Sequence, residues 1–144
     1  MITHLEYSKG VCYCGNPILG HSRLYCSYPC QVKAVRSRSY GLRSEGFDLL
    51  WAEQEGKCAI CEEVFDLEVQ WPVIDHDHLS GVVRGLLCKG CNSFMAYVDR
   101  IRRTMPEAMV IGFIGQRVWS YSERKAGVSQ LRESPAAWVI SVGT

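Results

Sequence analysis

Cys58-Ala59-Ile60-Cys61, then Ile74-Asp75-His76-Asp77-His78, then Gly81-Val82-Val83-Arg84-Gly85-Leu86-Leu87-Cys88-Lys89-Gly90-Cys91-Asn92: the fold turns on how these three pieces are read. Two Cys-x-x-Cys pairs, 26 residues apart, bracket an Asp-His run and a short apolar run. Each pair can offer two thiolates to one tetrahedral zinc ion, about 2.3 Å from each sulfur. The gap exceeds that of a zinc ribbon. However, residues 69–75 and 82–87 read as extended pieces about a turn at Ser80-Gly81, and a hairpin there would close it. Free buried cysteines or a redox pair are the alternatives; two such pairs in one short segment favour metal. A site with four cysteine ligands has no open position, so Cys58, Cys61, Cys88 and Cys91 are expected to hold a structural zinc.

Eight of the 144 residues are cysteine, and the other four are Cys12, Cys14, Cys26 and Cys30. Gly15 after the first two permits the tight backbone a metal knuckle needs, and a second structural zinc is expected here. Tyr25-Cys26-Ser27 with Cys30 resembles small treble-clef zinc modules of DNA-associated proteins; the alternative is a folding staple, which a module of this size would need in any case. With 47% hydrophobic and 22% charged residues the chain is an ordinary globular protein, neither disordered nor fibrous. Residues 1–10 contain no apolar stretch fit for secretion, and the longest apolar run, 108–114, is far short of a membrane span. A cytoplasmic location without membrane contact is expected, and a reducing compartment favours metal over disulfides.

The net charge of +1 hides an uneven distribution. Residues 1–44 carry +5, residues 45–77 carry −9 and residues 78–144 carry +5. Two basic ends around an acidic middle suit surfaces for phosphate and a centre for a cation, although the acids of 45–55 also read as a solvated helix face. A first helix is predicted over residues 30–40, capped by Ser27 with Pro29 in its first turn, and a second over 45–55 with Phe47, Leu50, Trp51 and Gln54 in one stripe. A third starts at about Cys91 with Phe94, Tyr97, Val98, Ile101 and Met105 along one face. Thr104 and Glu107 have capping-box spacing, so a fourth is expected from Pro106 towards Tyr121. Residues 138–142 read as a strand.

The chemistry sits in the Asp-His run. A carboxylate and an amide oxygen, Asp75 and Asn92, are hard ligands suited to Mg²⁺ or Mn²⁺. A neutral imidazole beside them can take a proton from an attacking water. In a flat strand Asp75 and His76 would point to opposite faces, so the strand must end or twist there if both are to serve one phosphate. A transition-metal site or a polar turn is the competing reading.

These three motifs, in this order and spacing, resemble the recombination endonuclease VII group of phage HNH nucleases over roughly residues 41–105. The resemblance implies a small zinc-stabilised α+β protein with a ββα-metal, treble-clef-like HNH core at 43–105. An N-terminal four-cysteine module would occupy 1–42, and C-terminal helices and a tail 106–144. It further implies that Asp75 and Asn92 hold Mg²⁺ or Mn²⁺, that His76 is the general base, and that His78 and Arg84 lie near the scissile phosphate. Members of the group cut branched DNA, including four-way junctions, and some are homodimers. Two positions depart from the pattern: Val73 replaces a histidine, and Met95 an acidic residue. A nicking enzyme on duplex DNA and a non-catalytic zinc protein that binds or packages DNA are the rival readings. Arg36, Arg38, Arg43, Arg100, Arg102 and Arg103 are candidates for DNA phosphate contacts, or else solubilising charges. Trp51, Trp71, Trp119 and Trp138 are expected in core or interface.

Overall fold

The computed structural model describes residues 10–19, 24–124 and 126, and the strand expected at 138–142 lies outside them. The described residues fall into two compact units divided between Asp48 and Leu49.

In the first unit Val11 and Pro17 form a bridge around a tight turn. The Cys12 N–H donates to the Asn16 carbonyl and the Gly15 N–H to the Cys12 carbonyl, both at 2.8 Å. Gly15 has φ +91°, a left-handed conformation that glycine adopts without steric cost. Helix α1 spans Tyr28–Ser39. The Ser27 hydroxyl accepts the Cys30 N–H at 3.4 Å, and Pro29 sits in the first turn, where a missing N–H costs nothing. Helix α2, Gly46–Glu53, is fastened at its start by the Ser37 hydroxyl, which accepts the Phe47 N–H at 2.8 Å. Leu42 and Phe47 are fully buried.

In the second unit α2 ends in a reversal closed by two hydrogen bonds, Gly56 N–H to the Trp51 carbonyl and Glu55 N–H to the Ala52 carbonyl. This is a Schellman arrangement with Glu55 in the left-handed position that glycine usually fills, at φ +54°. The chain then makes a second knuckle: Lys57 pairs with Val64, Cys58 N–H donates to the Glu63 carbonyl, and Glu62 turns at φ +62°. It is built as the first knuckle is, one residue longer.

Strands β1, Val73–His76, and β2, Val83–Leu87, form the antiparallel hairpin expected from the sequence. Asp75 pairs with Gly85 but His76 pairs with Val83, so Arg84 is an extra residue in β2. This bulge is a local departure from a flat strand at the Asp75-His76 step. Asp77 closes the turn, accepting the N–H groups of Leu79 and Ser80 at 2.8 and 3.0 Å.

Helix α3, Lys89–Thr104, begins two residues before the expected start because Cys88 caps it, its sulfur accepting the Cys91 N–H. Its buried face carries Met95, Val98, Asp99 and Ile101. Phe94 and Tyr97, read from the sequence as part of the apolar stripe, are 38% and 46% exposed. The anchoring of Cys88 and Cys91 fixes the helix rotation, and the Met95–Val98 spacing rather than the aromatic one meets the sheet. Thr104 does not cap the next helix; it is the last residue of α3, and its hydroxyl bonds back to the carbonyls of Arg100 and Ile101. The expected fourth helix is two: α4, Glu107–Ile114, and α5, Gln116–Ser122, broken at Gly115 with φ +81°.

Cys58, Leu87, Met95, Val98 and Tyr121 form one apolar core, and Ile101, Val110 and Trp119 a second. Burial of each large aliphatic side chain here contributes about 1.5–3 kcal/mol. Gln54 falls outside the α2 stripe that the sequence suggested. Its side-chain amide runs along β2 instead, accepting the Leu86 N–H at 2.7 Å and donating to the Leu86 carbonyl at 2.9 Å and the Lys57 carbonyl at 2.8 Å. Among the described residues no helix is long and apolar enough to cross a membrane.

Gly85 is what lets Gln54 lie so close: a Cβ there would meet the Gln54 Oε1 at 2.6 Å and the Tyr121 hydroxyl at 3.4 Å. Gly85→Ala is therefore predicted to lower the stability of the zinc-loaded protein by about 1–3 kcal/mol in urea denaturation. A change within 0.5 kcal/mol, roughly the scatter of a neutral surface substitution, would show that the amide is free to move aside.

Candidate active site

Each four-cysteine set gathers its sulfurs from a knuckle and a helix N-terminus. In each set all four Sγ atoms lie within 4.8 Å of one another. Cys14 and Cys26 are 3.5 Å apart, Cys26 and Cys30 3.5 Å, and Cys61 and Cys88 4.0 Å. A tetrahedron with 2.3 Å metal–sulfur bonds has edges of about 3.8 Å, so both sets could hold zinc. Burial alone would raise the Cys12 thiol, but the backbone N–H groups of Cys14 and Cys26 draw it down to about 7. Cys14 gains from the Asn16 N–H, yet burial and its three sulfur neighbours push it up to about 12. In the second set burial opposes ionisation of Cys58 and the N–H groups of Cys88, Cys61 and Ile60 outweigh it, while burial and the other sulfurs raise Cys91. Four thiolates so close cannot coexist without a cation, which is the role zinc would fill.

The hairpin bulge sends Arg84 inward, and it is 0% exposed. Its Nε donates to Asp75 Oδ2 at 2.7 Å and its Nη1 to Asp99 Oδ1 at 2.8 Å and the Ser122 carbonyl at 3.3 Å. Nη2 serves three acceptors: Asp99 Oδ2 at 2.9 Å, Asp75 Oδ1 at 3.2 Å and the His76 carbonyl at 3.2 Å. Asp75 Oδ2 also accepts the Tyr121 hydroxyl at 2.9 Å. Burial works against the guanidinium charge, but Asp99 and Asp75 overcome it and raise the pKa of Arg84. Burial, then Asp75, likewise keep the Tyr121 hydroxyl protonated. The reading of Arg84 as a DNA phosphate contact therefore needs correction. Every N–H it carries is directed at an internal acceptor, and it has no surface to offer.

Asp75 is 3% exposed and its Oδ2 is fully engaged, whereas Oδ1 receives one long hydrogen bond among the described residues. His76, half-buried, follows it at the bulge, and the His76 and His78 rings lie 5.0 Å apart, tilted by 59°. Burial first, then the neighbouring His78, lowers the pKa of His76 and favours its neutral form. His78 is exposed, with Nδ1 3.9 Å from Asp99 Oδ2. Asn92 is half-buried in the first turn of α3, its backbone N–H on the Cys88 carbonyl. A carboxylate oxygen and an amide oxygen are each the kind of donor that a hard divalent ion takes. Met95, at the position where the pattern expects an acid, is fully buried in the apolar core, and Val73 pairs with Leu87 at the start of β1.

Of the surface arginines, Arg100 stacks over the exposed Tyr97 ring at 5.4 Å and Arg43 pairs with Glu45 at 2.9 Å. Arg36 and Arg38 are half-buried in the last turn of α1. Arg102 turns inward, 4.8 Å over the Trp119 ring, and donates to the Ser122 carbonyl at 3.0 Å; Arg103 Nε donates to the Asp99 carbonyl. Sequence reasoning missed Asp99 and Tyr121. The available signal for Asp99 was its place seven residues after Asn92, two turns along the same helix face, as the one acid of α3. Nothing local marked Tyr121.

A family profile described as recombination endonuclease VII matches residues 33–111, more than half of the chain. The Gene 59 protein of Mycobacterium phage D29 is 39% identical over 74 residues, 45% of this chain and 44% of its own length. The Gene 59 protein of Mycobacterium phage L5 is 38% identical over 56 residues, 39% of this chain and 34% of its own. The chain thus spans less than half the length of these curated relatives. No solved structure matches it.

Three outcomes are expected. Elemental analysis of purified protein should find two zinc ions per chain, and a value of one would demote the Cys12 set to a staple without metal. Arg84→Met should cost about 3–5 kcal/mol in urea denaturation, because it strands two buried carboxylates. Arg100→Ala should stay within about 0.5 kcal/mol of the parent.

Proposed function

The chain belongs to the recombination endonuclease VII family, and from that premise we propose that it hydrolyses phosphodiester bonds in DNA as a Mg²⁺- or Mn²⁺-dependent HNH endonuclease. Branched DNA, such as the four-way (Holliday) junction, is the proposed substrate. The observation that carries this reading is the bulged step at Asp75-His76. It sets a buried carboxylate with one oxygen still able to accept beside an imidazole kept in its neutral form. In this reading β1, β2 and α3 are the ββα-metal core and Cys58, Cys61, Cys88 and Cys91 clamp it with zinc. The stretch 1–42 is a separate zinc module and 106–144 an extension.

Asp75 Oδ1 and the Asn92 side-chain oxygen would hold the divalent ion. When bound, that ion supplies positive charge against the developing phosphorane and the leaving 3′ oxygen. His76 takes a proton from the attacking water, whose oxygen forms the new bond to phosphorus as the bond to the 3′ oxygen breaks. The products are a 5′ phosphate and a 3′ hydroxyl. His78, exposed beside His76, is placed to contact the same phosphate. Arg84 does not touch substrate; it orients Asp75. Phosphate contacts along the backbone fall to Arg36, Arg38, Arg43, Arg100, Arg102 and Arg103.

The test is cleavage of a four-way junction against a linear duplex of the same sequence, with and without Mg²⁺. Cutting of the junction only with the ion is the expected result. Equal cutting of both substrates points to a nicking or duplex enzyme, and no cutting of either to a zinc protein that only binds DNA. His76→Ala should lower the cleavage rate about 10²–10⁴-fold while DNA binding by gel shift is retained. Parental rates in that variant would remove His76 as the base.

A further inference from the structure

Asp75, Arg84 and Asp99 form a buried cluster of two carboxylates around one guanidinium, with a formal charge of −1. An Asp75–Arg84 pair alone would be neutral, and a neutral pair is a poor site for a cation. The hydrogen bonds show how the third member changes this. Nη2 of Arg84 has two hydrogens for three acceptors, and the shortest of the three contacts goes to Asp99 Oδ2 at 2.9 Å. Asp75 Oδ1 shares that nitrogen at 3.2 Å, while the shortest Arg84 contact, 2.7 Å from Nε, goes to the other Asp75 oxygen, Oδ2. Tyr121 meanwhile occupies the other oxygen, Oδ2, from α5. The free acceptor capacity of Asp75 is thus concentrated on Oδ1.

We infer that Asp99 is a positioning residue for the divalent ion: by sharing Arg84 it keeps Asp75 Oδ1 open, and it supplies the net negative charge that the cation meets. This rests on the metal reading proposed above. Asp99 also lies outside the Asp-His run and the cysteine knuckles, so none of the motifs marks it. It approaches the histidine side of the site as well, with Oδ2 3.9 Å from His78 Nδ1.

The experiment titrates Mn²⁺ into the zinc-loaded full chain without DNA and follows the paramagnetic resonance signal of free Mn²⁺. The wild-type chain should bind one Mn²⁺ and Asp75→Asn none. Asp99→Asn should retain two zincs and bind Mn²⁺ at least about tenfold more weakly, by the loss of one nearby negative charge. Asp99→Glu, which keeps the cluster at −1, should return to within threefold of wild type. A purely structural Asp99 would lower the melting temperature and leave Mn²⁺ affinity alone. Wild-type affinity in Asp99→Asn, or an Asp99→Glu variant as weak as Asp99→Asn, overturns the inference. If Asp99→Asn fails to keep zinc, Asp99→Glu decides alone: near-wild-type binding supports the inference and a tenfold loss overturns it. Wild-type protein that binds no Mn²⁺ overturns the metal reading and this inference with it. Normal binding by the wild-type chain combined with normal binding by Asp99→Asn sinks only the inference.

Discussion

A guanidinium with no solvent exposure, held between two carboxylates, is the constraint around which the second unit is organised. Removing Arg84 and its partners from water costs several kcal/mol for each ion, and only well-aimed hydrogen bonds offset it. The acceptors come from every side: Asp75 and the His76 carbonyl from β1, Asp99 from α3, and Ser122 from the end of α5. The bulge in β2 exists to turn Arg84 into this space. An unbulged hairpin would give its neighbours ordinary partners, but it would leave the arginine on the wrong register and Asp75 without its counter-charge.

The second cysteine set acts at a different level. It fixes where the hairpin meets α3: Cys88 caps the helix, its sulfur accepting the Cys91 N–H, and the Cys88 N–H also donates to the Cys58 sulfur at 3.4 Å. That fastening sets the rotation of α3, and the rotation decides that Met95 and Val98 face the sheet while Asp99 faces Arg84. A metal bound by the cysteines would thus govern the site through helix orientation, with no sulfur near the histidines required.

Much of this was legible in the sequence, for identifiable reasons. The knuckles were visible because metal geometry demands close ligand spacing, and the hairpin because two short extended runs flanked a Ser-Gly turn. Ser27 as a cap was read correctly because capping is local chemistry. The failures were cases where the packed fold overrode a local signal. Phe94 and Tyr97 lay at helical spacing with Ile101, but the cysteines had already chosen the helix face. Thr104 and Glu107 had the spacing of a capping box, but the chain kept Thr104 within α3. Arg84 was assigned to DNA because an arginine in a nuclease-like motif is usually read as a phosphate ligand. Its internal role depends on Asp99, fifteen residues on, and on Ser122, thirty-eight residues on.

The part of the site hardest to see is also the part the family profile does not cover. Residues 33–111 match, and Tyr121 and Ser122 lie beyond them. Yet Tyr121 occupies an oxygen of Asp75, Ser122 accepts from both Arg84 and Arg102, and the chain returns to β2 where the Ala126 N–H donates to the Val83 carbonyl at 3.0 Å. Arg124 pairs with Glu53. The segment after Ile114 is therefore a floor under the carboxylate cluster rather than an appendage. A chain cut after the matched region would keep every motif by which the family is recognised, but the buried guanidinium would lose a carbonyl acceptor and Asp75 a hydroxyl donor. Recognition by motif and completeness of the site are separate properties in this protein, and long-range hydrogen bonds to one arginine join them.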